Sequence, residues 1–214
     1  MSYDRRRGVR SRPFERPEDP PGTSRLFIAV PVADEVRREI GELMESVAGA
    51  PIEERSYGQP RWVRVEGLHV TLRFLGATPD ERQAALGGAI AAAARGVAPF
   101  RVALSGGGAF PNPRYPRVLW IAIAQGAEQL SGLAGNLNGL LQPLGWEPEG
   151  RPFAPHLTLA RTDGVARADE FAGRLIDLAR DVRLEWQADR IVLYKSHLGH
   201  GPARYEVVAE AALA

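Results

Sequence analysis

One tetrapeptide occurs twice in this chain, and its two settings match. Gly67-Leu68-His69-Val70-Thr71-Leu72-Arg73-Phe74-Leu75-Gly76 and Phe153-Ala154-Pro155-His156-Leu157-Thr158-Leu159-Ala160-Arg161 both contain His-x-Thr-Leu. Each copy follows an apolar strand, an amphipathic helix and a proline-bearing loop. In the first half these are Leu26-Phe27-Ile28-Ala29-Val30, a helix over 33–48 and a loop over 49–60. In the second they are Val118-Leu119-Trp120-Ile121-Ala122-Ile123, a helix over 127–141 and the loop carrying Pro143, Pro148, Pro152 and Pro155. After the motif each half continues with a further helix and strand. Thr78, Pro79 and Glu81 read as the capped start of the first of these helices. A sequence whose elements repeat in this way must fold as a duplication.

Alternating apolar strands separated by amphipathic helices place the chain in the α+β class. The expected architecture is two lobes related by a pseudo-twofold axis, about 25–115 and 116–214. Each lobe is a mostly antiparallel sheet backed by helices, with a cleft between them. Residues 1–24 stand outside this plan. Arg5, Arg6, Arg7, Arg10, Arg12 and Arg16 face only Asp4 and Glu15 across the first sixteen positions, and a Pro-rich stretch follows. A segment so poor in apolar residues cannot offset its ordering entropy, so it reads as disordered or loosely attached. It is either a solubilising leader or a basic arm for RNA phosphates.

Strand geometry gives the motif its meaning. Side chains alternate, so His69 and Thr71 share one face while Val70 and Leu72 take the other. His156 and Thr158 are opposed to Leu157 and Leu159 in the same way. The apolar pair anchors each strand, and the His and Thr face the cleft. Strict alternation also puts Arg73 on the face of His69, Phe74 in the core, and Arg161 on the face away from His156. A bulge or strand end after Ala160 would turn Arg161 inward.

The chain has no cysteine, which excludes disulfides, thiolate nucleophiles and Cys-ligated zinc. Two opposed imidazoles that titrate near neutrality can act as a general acid and a general base. In-line hydrolysis of a 2′,3′-cyclic phosphate needs that pair, one on each face of the phosphorus. The threonine hydroxyls are placed to donate to its non-bridging oxygens. His197 precedes the turn Gly199-His200-Gly201-Pro202 and His200 lies within it, and both read as exposed hairpin residues. Gly106-Gly107-Gly108 lacks the Lys-Ser/Thr of a phosphate loop and reads as a bulge or a close lobe contact. Net charge is +1, no apolar run is long enough for a membrane span, and no basic start leads into an apolar stretch. A cytoplasmic chain, not attached to a membrane, is expected.

The paired motif, with Phe110-Pro111, Arg117-Val118-Leu119-Trp120, Leu193-Tyr194-Lys195-Ser196 and Tyr205, resembles the 2H phosphoesterase superfamily. Within it the chain is similar to the bacterial and archaeal RNA 2′,3′-cyclic phosphodiesterases, also called 2′-5′ RNA ligases, from about Arg25 to Leu213. The resemblance implies hydrolysis of RNA 2′,3′-cyclic phosphate ends to 2′-phosphomonoesters and ATP-independent 2′-5′ joining. It implies His69 as proton donor, His156 as acceptor, Arg161 on the phosphate or nucleotide, and no metal or other cofactor. Arg73 is a further candidate for substrate contact, from its shared face. One chain holds both motifs, so a monomer suffices. The alternatives are a 2H enzyme for another small cyclic phosphodiester and a non-catalytic RNA-binding module of the same fold.

Overall fold

The computed structural model describes residues 19–52, 59–197 and 202–214. Most of the basic N-terminal segment and the turn with His200 lie outside the described residues. The elements run β1 (Thr23–Pro31), α1 (Asp34–Ala48), β2 (Arg61–Trp62), β3 (His69–Pro79), α2 (Gln83–Ala94), β4 (Phe100–Phe110), β5 (Val118–Gln125), α3 (Ala127–Leu141), β6 (His156–Arg161), α4 (Ala168–Leu178), β7 (Leu184–Ala188), β8 (Arg190–His197) and β9 (Arg204–Ala212). Strand, helix, histidine strand, helix and strand therefore recur in order.

The strands form two antiparallel sheets. One is ordered β3-β1-β8-β9 and the other β2-β6-β5-β4-β7. Aligned on the histidine strands, the orders correspond, with β3, β1, β8 and β9 matching β6, β5, β4 and β7. The lobes are nevertheless not the consecutive halves 25–115 and 116–214. β4, from the first half, pairs with β5, and β8 returns from the second half to pair with β1. Loop-closure entropy gives the reason. β4 and β5 are joined by a short connection, so their hairpin closes at little cost. The open edge of β1 is then filled by β8.

Helices α2 and α3 pack together, α2 on β8 and β9 and α3 against β3, whereas α4 covers β4 and meets α1. α1 buries Val36, Ile40, Met44 and Val47 as its stripe, and α3 buries Leu130, Leu133, Leu137 and Leu141. Two local expectations change. Thr78 is buried within β3, its hydroxyl donating to Gly76 O, so it caps no helix. Asp80 instead accepts from the Ser24 hydroxyl at 2.5 Å and from Gln83. Ser24 is thus buried in β1, and Asp19 pairs with Arg25 at 2.6 Å, so the end of the N-terminal segment is part of the fold.

The triple glycine is a bulge and a close contact, as expected. The β4–β5 register shifts between Leu104 and Gly107. A Cβ on Gly107 would lie 2.8 Å from the Leu175 carbonyl oxygen, and one on Gly108 would lie 2.3 Å from the Trp120 ring. Only glycine lets β4 pass under that indole.

Candidate active site

β3 lies at the edge of its sheet and packs against β6 of the other, which brings the two motifs together. Val70, Leu72, Leu157 and Leu159 are buried and fix each strand, while His69, Thr71, His156 and Thr158 are half-buried. The two imidazoles are held by the same device. His69 Nδ1 lies 2.6 Å from Gly67 O, and His156 Nδ1 lies 2.7 Å from Ala154 O. A carbonyl oxygen only accepts, so each Nδ1 carries a hydrogen and donates it. Each Nε2 is then the nitrogen left for exchange of a proton. Pro155 and Leu68, the residues between histidine and carbonyl, set this two-residue loop-back in both copies.

Aromatic rings wall both histidines. Phe27 lies 4.7 Å from His69 between ring centres, with Tyr205 edge-on at 5.2 Å and Tyr194 at 6.1 Å. Phe110 is edge-on to His156 at 5.1 Å, and Trp120 lies at 6.3 Å. Removal from water destabilises an imidazolium. Burial accordingly pushes His69 down from 6.5 to about 4, opposed by its bond to Gly67 and assisted by charge on His156. Burial also lowers His156, opposed by the bond to Ala154 and assisted by Arg161. Each histidine therefore resists protonation, and His69 feels the charge of His156. Protonation of both at once is disfavoured most of all.

Two bulges overturn strict alternation. In the β1–β3 pair, Ile28 faces Arg73 but Ala29 faces Thr71, so Leu72 is extra. In the β5–β6 pair, Leu119 faces Ala160 but Trp120 faces Thr158, so Leu159 is extra. A bulge residue reverses the facing of everything beyond it. Arg161, expected on the far side, is exposed, and its charge acts on both His156 and Tyr205, residues of opposite sheets. The reversal comes at Leu159, before Ala160 rather than after it. Phe74, expected in the core, is 58% exposed and lies 6.2 Å from Phe27.

Arg73 moves the other way and is not among the cleft residues. It is buried, and its guanidinium donates to Asn138 Oδ1 at 3.0 Å and to the Glu147 carbonyl, with the Glu149 carboxylate at 3.8 Å. Trp146 donates to Leu75 O, and Arg82 lies over the Trp146 ring and donates to Leu144 O. Arg73 and Arg82 thus tie β3 and its following turn to the loop that leads from α3 toward His156. Phe27 and Phe110 were not legible as site residues. Phe27 sits in an apolar run that reads only as core, and its counterpart in β5 is Val118, since Phe27 faces Phe74 as Val118 faces Arg161. Trp62 is buried in the core. His197 pairs with Glu206 at 2.7 Å.

Two like lobes, each presenting a histidine locked at Nδ1 and a threonine to one cleft, define a two-histidine phosphoesterase. Comparison with known proteins agrees. Residues 31–200 match the 2′-5′ RNA ligase superfamily. The chain belongs to that family. A protein of Methanocaldococcus jannaschii named RNA 2′,3′-cyclic phosphodiesterase is 30% identical over 187 residues, 87% of this chain and 99% of the relative. One of the same name from Geobacillus stearothermophilus is 35% identical over 187 residues, again 87% of this chain but 56% of the relative, so the chain spans little more than half that protein's length. Among solved structures, one from Thermus thermophilus superposes with a TM-score of 0.71 at 32% identity, covering 88% of this chain and 97% of the other. The E. coli LigT structure complexed with 3′-AMP gives 0.67 at 27% identity, covering 89% and 98%.

Proposed function

We propose that the chain hydrolyses RNA 2′,3′-cyclic phosphate ends to 2′-phosphomonoesters, with His156 as general base and His69 as general acid. The observation that carries this reading is the matched Nδ1–H···O=C bond, which offers two equivalent Nε2 atoms to one cleft. In the reaction, water gives a proton to His156 Nε2 as its oxygen attacks phosphorus. The bond from phosphorus to O3′ breaks, and His69 Nε2–H protonates O3′. The product keeps its phosphate on O2′. With an RNA 5′-hydroxyl in place of water, the same steps form a 2′-5′ bond.

The non-equivalence of the lobes supports this assignment of acid and base. The fifth residue after each histidine is Phe74 in one lobe and Arg161 in the other, and matched bulges turn both outward. The aromatic side, with Phe74, Phe27, Tyr194 and Tyr205, suits the nucleoside, which places the departing O3′ near His69. The cationic side suits the phosphate oxygens. Thr71, Thr158 and Arg161 donate to those oxygens, where charge accumulates in the transition state. The phosphate anion itself restores a proton to a pair that burial would otherwise keep neutral. No metal or other cofactor enters these steps. Both motifs are on one chain, so a cytoplasmic monomer is sufficient.

The test is turnover of 2′,3′-cyclic nucleotides and of RNA with a cyclic phosphate end, in EDTA, with identification of the product. A 2′-phosphate, lost in both His69→Ala and His156→Ala, is the expected result. Full activity in either variant, or a 3′-phosphate product, refutes the reading.

A further inference from the structure

We propose that the β4–β5 hairpin is a second RNA-binding element, which holds nucleotides upstream of the reacting end through Tyr115, Arg114 and the neighbouring pair Arg61 and Arg161. This rests on the site being a cyclic phosphodiesterase for RNA. The hairpin grows directly out of the site. Its last β4 residue, Phe110, is edge-on to His156, and Arg117 N–H closes the loop on Phe110 O at 2.7 Å. Between them, Tyr115 is 68% exposed, the most exposed large hydrophobic residue among those described. The Arg114 guanidinium lies 5.7 Å from its ring centre.

The loop is built to hold that pose. Asn112 Oδ1 accepts from the backbone N–H of both Arg114 and Tyr115, at 3.1 and 3.0 Å. Thr162, buried at the end of β6, donates its hydroxyl to Pro116 O at 2.7 Å and its N–H to Arg117 O at 3.0 Å. An exposed tyrosine on a rigid support loses little entropy when a base stacks on it.

Register connects the loop to the cleft. Val118, just beyond the hairpin, faces Arg161, and Arg161 faces Arg61 on β2. Directly opposed residues share a face, so Arg161 and Arg61 stand side by side. Arg61 is held by Asp163 at 3.1 Å. Arg61 and Arg161 thus form a cationic pair at the far end of β6, next to the hairpin that carries exposed Arg114. A backbone leaving the histidines along β6 passes Thr158, then Arg161, then the hairpin. Cations interleaved with a free aromatic face are the chemistry of single-stranded RNA binding without base-pair readout. The other sheet has no such hairpin: β8 and β1, the equivalents of β4 and β5, are not joined to each other. The element therefore gives the cleft a direction.

The experiment compares 2′,3′-cyclic CMP with a short RNA oligonucleotide ending in a 2′,3′-cyclic phosphate, using the full chain and its Tyr115→Ala, Arg114→Gln and doubly substituted forms. The expected result is a rise in KM for the oligonucleotide on the order of tenfold in the double variant, with kcat/KM for cyclic CMP unchanged. Equal losses on both substrates, or no loss on the oligonucleotide, overturn the proposal. A second arm measures binding of an RNA ending in a 2′-phosphate by fluorescence anisotropy over a range of salt. Arg114→Gln should weaken binding and reduce the log–log salt slope by about 0.7, and an unchanged Kd and slope overturn the proposal. If the unsubstituted chain turns over neither substrate, the enzymatic reading fails, and this binding arm still decides the role of the hairpin.

Discussion

The neutral state of His69 makes the fold acid-labile by a calculable amount. An unfolded histidine takes up a proton near 6.5, whereas His69 in the native protein does not until about 4. Between those values the unfolded chain binds more protons, so stability falls as pH falls through this window. The contribution is fully present above 6.5. Comparing the protonation of the two states at about pH 5 gives a loss of about 2 kcal/mol from this one group. The perturbation is His69→Gln, which removes the titration. Urea unfolding of both proteins at about pH 7.5 and pH 5 isolates the effect, because other groups titrate in both. The wild type should lose about 2 kcal/mol more than the variant on acidification. An NMR titration of His69 should give a midpoint near 4. A difference below about 0.5 kcal/mol, or a midpoint near the ordinary histidine value, would refute the argument that the aromatic wall desolvates this ring.

Further expectations come from the same geometry. The profile of kcat/KM against pH should be a bell with both limbs below 6.5, because burial lowers both histidines in the free enzyme; a basic limb above 7 is inconsistent with the burial described. Arg161→Gln should lower kcat roughly a hundredfold with little change in urea midpoint, since this side chain is exposed; steady-state kinetics on a cyclic nucleotide decide it. Arg73→Met should do the reverse, costing about 1.5–3 kcal/mol from the lost charge-assisted hydrogen bonds while the remaining folded protein keeps its KM, as unfolding curves and kinetics will show. Gly108→Ala forces a Cβ into the Trp120 ring; the expected result is destabilisation of about 1–3 kcal/mol, read as a lower melting temperature, with a weakened near-UV signal from the displaced indole.

The residues that the sequence singles out most clearly, His69, Thr71, His156 and Thr158, occupy the cleft because their placement depends on local information. Two-residue alternation puts them on one face and their apolar neighbours on the other, whatever strand lies alongside. The Nδ1 bonds are equally local, each closing on a carbonyl two residues back. Helices α1 and α3 are legible for the same reason, since an apolar stripe at helical spacing predicts its own burial. The triple glycine announced a bulge through its composition.

Beyond those local features, the repeated order of elements was determined by sequence alone, and the partition of the chain between lobes was not. Which strand fills the open edge of β1 depends on competition between a near hairpin partner and a distant one, and the short β4–β5 connection settles it in favour of exchange. The placement of Arg73, Phe74 and Arg161 was likewise decided by tertiary structure. Single extra residues at Leu72 and Leu159 reverse the strand faces, and the bulges exist only in the pairing with β1 and β5. A residue count along one strand carries no record of how many residues its neighbour has opposite it.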